Sequence, residues 1–206
     1  MRLLYIILCA TMLFSCKKGS SNFTIKGTIT DTTFNQALSG ATLSLYQVPS
    51  GTNNSVLISS TTVAADGSYS FTFKRDKMDK YILTVAKNNY FSLSETITFS
   101  SLSIEEDNVR NYSTTAMAWV KLHFFNLNPS DLDELDYTKQ QGKQTCSGCC
   151  PTTEQHLYGA IDTSIYCIND ANTVYSYLYS VYGTTDQGIM SVTTTAFDTT
   201  ELYLSY

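Results

Sequence analysis

The sequence predicts an all-β protein made of two small antiparallel β-sandwich domains in tandem. The chain of 206 residues contains 15 Tyr and 10 Phe together with many Thr and Ser, and such side chains suit a pleated surface. From Phe23 onward, segments that alternate apolar and polar residues recur between turn signals, roughly every 8 to 12 residues, as in sandwiches. After a polar stretch at residues 105–108 an apolar strand restarts at Ala118, which favours a second domain over the alternative of one larger sandwich.

The N-terminus predicts an export signal over residues 1–15. Arg2 precedes a short apolar run, Leu3 to Phe14, which fits the core of a secretory signal. The run is too short for a membrane-spanning helix, which needs about 20 residues.

The run ends in Leu13-Phe14-Ser15-Cys16, which resembles the lipobox of bacterial lipoproteins. That resemblance implies that diacylglycerol and palmitate are attached at Cys16, so that residues 16–22 form a lipidated tether to the membrane. It also implies an outer-membrane location, because no Asp follows the cysteine. Whether the protein faces the periplasm or the cell surface stays open.

Residues 23–117 are predicted to form the first sandwich. A turn with Gly67 at a position of positive φ separates two of its strands. The predicted strands are Phe23–Thr30, Ala41–Val48, Val56–Val63, Tyr69–Phe73 and Tyr81–Ala86.

Four segments of this region resemble the carboxypeptidase regulatory-like domain. They are Lys26–Asp31, Leu38–Leu45, Asp66–Phe71 and Tyr81–Val85. The resemblance implies a transthyretin-like β-sandwich that is usually non-catalytic and serves as a spacer, folding aid or interaction surface.

Residues 118–206 are predicted to form the second sandwich, and they resemble no family that we recognise. The predicted strands are Ala118–Asn126, Ser164–Ile168, Thr173–Val181, Ile189–Thr195 and Leu202–Tyr206.

Four cysteines lie in the predicted second domain, at Cys146, Cys149, Cys150 and Cys167. An even number in an exported chain indicates disulfides. The neighbours Cys149 and Cys150 are not expected to bond to each other. Either one of them binds Cys146 and the other Cys167, or a single bridge forms. The alternative is a zinc site that includes His156.

Three tyrosines at every second position, Tyr175, Tyr177 and Tyr179, share one face of a predicted strand. An exposed ladder of this kind would stack on sugar rings, whereas a buried one would pack against the opposing sheet.

His123 is expected on a sheet face. A loop after Pro129 is expected to carry the acidic residues Asp131, Asp133, Glu134 and Asp136.

The function class follows from anchor, fold and charge. With 13 basic and 18 acidic residues, the chain lacks the basic stripe typical of nucleic-acid partners. We expect no cofactor, no metal and no catalytic residue. We expect a cell-envelope lipoprotein that acts as a structural or protein-interaction module. The alternative is a carbohydrate-binding accessory lipoprotein that uses the tyrosine face.

Overall fold

The computed structural model describes residues 22–206, so the signal and the lipid-attachment prediction at Cys16 lie outside the described residues. The described part is built from sixteen strands and one short 3-10 turn, Phe99–Ser101. The all-β class predicted from the sequence is therefore confirmed.

The first nine strands form two sheets. The strands are β1 (Asn22–Asp31), β2 (Gln36–Ala37), β3 (Thr42–Pro49), β4 (Val56–Thr62), β5 (Ser68–Lys74), β6 (Met78–Ala86), β7 (Leu93–Thr98), β8 (Asn108–Val109) and β9 (Tyr112–Thr114). One sheet has β1 at its centre, paired antiparallel to β2 and β5 and parallel to β8 and β9. The other is antiparallel in the order β4-β3-β6-β7.

The inner faces of these sheets follow the period-two pattern of the sequence. On β1, Phe23, Ile25 and Ile29 are buried, as strand alternation requires. Gly27 completes that face, where the carbonyl oxygen of Arg110 lies only 1.8 Å from the position that a Cβ atom would occupy. A glycine here therefore lets the chain that enters β9 lie against β1.

The last seven strands form two further sheets. The strands are β10 (Met117–Phe125), β11 (Glu134–Gln141), β12 (Gln155–Tyr158), β13 (Asp162–Asp170), β14 (Val174–Val181), β15 (Gln187–Thr193) and β16 (Thr199–Ser205). In the first sheet, β10 lies between β13, antiparallel to it, and β16, parallel to it. The second is antiparallel in the order β12-β11-β14-β15.

Part of the expected acidic loop is a strand, because Glu134 and Asp136 belong to β11. The expectation of a loop is wrong at these two positions. Leu135, Tyr137 and Lys139 alternate with them and point inward, where all three are buried. Buried and outward-facing residues thus alternate along β11, but a lysine occupies its third inward position.

Two apolar clusters fill the interior. One lies between the sheets of β1–β9 and the other between the sheets of β10–β16. They meet closely, since Ala118 of β10 and Ala171 after β13 belong to the first cluster. Phe197 also packs on Tyr90, with ring centroids 5.5 Å apart. The two sandwiches therefore share an apolar junction, while the predicted boundary between residues 117 and 118 stays a prediction.

Candidate functional site

The four cysteines form two disulfides, Cys146–Cys149 and Cys150–Cys167. This resolves the pairing that the sequence left open, and it removes the thiolates that a zinc site would need. Cys167 lies on β13 and is fully buried, and the Tyr175 hydroxyl donates a hydrogen bond to its Sγ at 3.3 Å. The Cys150–Cys167 bridge thus links the cysteine-rich loop between β11 and β12 to the core of the second sandwich.

A buried amine holds the same loop from the other side. Lys139 Nζ donates hydrogen bonds to the carbonyl of Lys143 and, at 3.1 Å, to that of Cys150. It lies 5.5 Å from the ring centre of Tyr175. Burial lowers the pKa of the Lys139 amine, because desolvation disfavours its charge. Lys139 was not predicted as a functional residue from the sequence, although its inward position in the alternation of β11 was a usable signal.

Tyr175 and Tyr177 lie in the core and not on an outer face. The Tyr177 ring contacts Phe124 and Tyr137, with centroids 5.6 and 5.9 Å apart. Tyr179 is partly buried, and its hydroxyl donates to Asp186 at 3.0 Å. Burial raises the pKa of the Tyr175 and Tyr177 phenols. The ladder therefore packs against the opposing sheet, and Tyr175 and Tyr177 are not accessible for stacking on a sugar.

The outer face of the β13-β10-β16 sheet carries a different group of aromatic rings, here called the aromatic sheet face. Its members are Trp119 and Phe125 of β10, Tyr166 of β13 and Tyr203 of β16. Tyr166 is 60% exposed and Tyr203 47% exposed, while the two β10 rings are partly exposed. They point outward because the intervening β10 residues, such as Val120 and Leu122, fill the core.

An ionic network crosses this face between the rings. His123 Nε2 lies 3.0 Å from an Asp162 oxygen, and its Nδ1 lies 3.0 Å from Glu201. Lys121 contacts the same Glu201 oxygen at 2.9 Å. Hydrogen bonds that the imidazole donates to Asp162 and Glu201 raise the pKa of His123, and those that Glu201 accepts from Lys121 and His123 lower the pKa of Glu201. The Tyr203 ring packs edge-on against the His123 imidazole, with ring centroids 4.9 Å apart.

The second histidine belongs to a separate cluster on the outer face of β11 and β12. Asp136 and His156 are direct cross-strand partners, and Glu134 is paired with Tyr158 two residues along. His156 Nδ1 lies 2.6 Å from Asp136 Oδ1 and 3.2 Å from Glu134 Oε1. These carboxylates, Asp136 most strongly, raise the pKa of His156. Each histidine of the chain thus contacts carboxylates. His123 lies on a sheet face, as predicted, whereas His156 belongs to β12.

No protein-family model matches the sequence, and no curated protein matches it at a significant level. The resemblance of the first sandwich to the carboxypeptidase regulatory-like domain therefore stays a prediction. Among the described residues, none forms a helix with the length and apolar character needed to cross a membrane.

Several solved structures are similar to the described chain over most of its length. They include a streptococcal ancillary pilin (10% identity, TM-score 0.39, 89% of this chain and 62% of that one). Another is GBS52, a minor pilin of Streptococcus agalactiae (11% identity, TM-score 0.37, 89% of this chain and 94% of that one). A third is a DUF3823 family protein of Parabacteroides merdae (15% identity, TM-score 0.33, 85% of this chain and 98% of that one). The chain thus spans 62% of the length of the ancillary pilin, and likenesses this distant carry no argument about function.

Proposed function

We propose that this protein is a non-catalytic, lipid-anchored interaction module of the cell envelope that contacts a protein partner through the aromatic sheet face. The outer face of a sandwich sheet is ordinarily polar, with apolar residues turned inward. The outward positions of β10 instead include Trp119, His123 and Phe125, and Tyr166 and Tyr203 flank them. This aromatic enrichment is the observation that carries the proposal, because Trp and Tyr dominate protein contact sites.

The lipid anchor would attach the module to a membrane, and the junction between the two sandwiches would make its body rigid. Lipid attachment at Cys16 would hold the chain at a membrane, where two or more acyl chains give stable binding. The junction of Tyr90 and Phe197 and the disulfide to Cys167 would present the aromatic sheet face on a preorganised body. A rigid surface loses less conformational entropy on binding.

The test is affinity capture from envelope membranes with the wild-type protein and with Trp119→Ala and Tyr166→Ala variants. Tyr182→Ala is the matched control, since Tyr182 is 73% exposed but lies outside the aromatic sheet face. We expect a recurrent protein partner that both face variants lose and the control retains. Equal capture by all four proteins would contradict the assignment of this face.

A carbohydrate ligand remains the second candidate, on this face and not on the tyrosine ladder. Aromatic rings stack on sugars, and the carboxylates of Asp162 and Glu201 would accept hydrogen bonds from hydroxyl groups. A glycan array separates the two candidates. Binding of one glycan class that Trp119→Ala abolishes, without any captured protein, would replace the protein partner by a sugar.

A further inference from the structure

We infer that Glu134, Asp136 and His156 form a binding site for a divalent transition-metal ion such as Zn²⁺ on the outer face of β11 and β12. The donor atoms of these three side chains all lie within 4.8 Å of one another. Imidazole nitrogen with two carboxylates is a donor set that Zn²⁺ accepts in proteins. Ca²⁺ fits less well, because it prefers six to eight oxygen ligands.

The convergence of the donors distinguishes this cluster from a pair of ordinary ion contacts. Both carboxylates of the cluster approach the same ring nitrogen, Nδ1 of His156, at 2.6 and 3.2 Å. His123 also contacts two carboxylates, but one lies at each of its ring nitrogens. A cation can bind between the donors at His156, whereas the donors at His123 point to opposite sides of the ring.

The distances are compatible with an ion after small side-chain movements. Bonds of about 2.1 Å in a tetrahedral site place two donors about 3.4 Å apart. The contact between His156 and Asp136 must therefore open by about 0.8 Å and that to Glu134 by about 0.2 Å. His156 is exposed and the two carboxylates are partly exposed, so the side chains have room for this change.

A surrounding residue orients the ligands. Tyr158 is the cross-strand partner of Glu134, and its ring stacks on His156 with an interplanar angle of 16° and centroids 6.3 Å apart. Partners that hold metal ligands in place commonly support metal binding. Because β12 is a four-residue edge strand that pairs with β11, a bound ion would join the edge strand to the sheet.

The experiment is calorimetric titration of the full chain, without a histidine tag and with its disulfides intact, with Zn²⁺ at neutral pH. We expect one ion per chain and a rise in melting temperature, because an ion that binds only the folded state stabilises it. His156→Ala and Asp136→Asn should each weaken binding by at least about tenfold, the low end of losses on disturbing a metal site. His123→Ala is the matched control and should bind like the wild type.

Two results would overturn the inference. One is the lack of saturable binding to the wild-type chain. The other is an equal loss of affinity in His156→Ala and His123→Ala, which would indicate non-specific binding to histidine and carboxylate groups. Circular dichroism of each variant should show that the sheets are retained, since the exposed His156 side chain is not part of the core.

Discussion

The two disulfides should differ in their contribution to stability, because they close loops of very different length. Cys150–Cys167 spans 17 positions and Cys146–Cys149 spans 3. A bridge stabilises mainly by restricting the unfolded chain, and the loop-closure relation gives about 3 kcal/mol for the longer loop and about 1.5 kcal/mol for the shorter one. Removing the longer bridge also disturbs the buried contact of Cys167 with Tyr175.

The assay is urea unfolding of two double variants, Cys150→Ala with Cys167→Ala and Cys146→Ala with Cys149→Ala. Trp119 is the only tryptophan of the chain. It lies on β10, next to the strand of Cys167, so its fluorescence reports on the second sandwich. We expect the loss of the longer bridge to lower the free energy of unfolding by about 1.5 kcal/mol more than the loss of the shorter one. Equal losses, or a larger loss for the shorter bridge, would refute this reasoning.

Three further predictions concern the core, the buried amine and the anchor. Burial raises the pKa of Tyr90 to about 12 and also raises that of Tyr175. The unfolded chain therefore ionises first at these positions, and stability should fall as the pH rises above the ordinary phenol value of 10.0. The part of the tyrosinate absorbance that comes from the buried phenols should appear together with unfolding, and full ionisation of all tyrosines in a still-folded chain would contradict this. Lys139→Met should cost about 1 to 3 kcal/mol in urea unfolding, because two carbonyls lose their donor, whereas Lys121→Met, which removes a partly exposed ion pair with Glu201, should cost clearly less. Cys16→Ala should abolish labelling by a palmitate analogue and release the protein from the membrane fraction, and labelling that persists would exclude Cys16 as the attachment site.

The strands with apolar inward positions could be predicted from the sequence, and those with polar ones could not. The inward positions of β1 from Phe23 to Ile29 and all those of β10 are apolar or small, so the period of two is visible. Only the buried Asp31, at the end of β1, departs from this pattern. On β11 the third inward position is Lys139, whose charge hides the pattern. The four residues of β12 are too few to show a period.

The candidate sites were harder to predict because they depend on pairing between distant strands. The shared face of Tyr175 and Tyr177 follows from their spacing, but only the opposing sheet, with Phe124, determines that this face is buried. The cluster of Glu134, Asp136 and His156 arises from the pairing of β11 with β12. Neither strand was predicted, so the convergence of these side chains could not be foreseen.

The proposed binding of a protein partner at the aromatic sheet face is tested most directly by site-specific photocrosslinking in living cells. A photoreactive phenylalanine analogue replaces Tyr166 in one variant and Tyr182 in another, so that an exposed aromatic residue is exchanged at both positions. We expect position 166 to capture one recurrent envelope protein and position 182 to capture none. Capture of the same partner from position 182 alone, or of no protein and no glycan from position 166, would contradict the account.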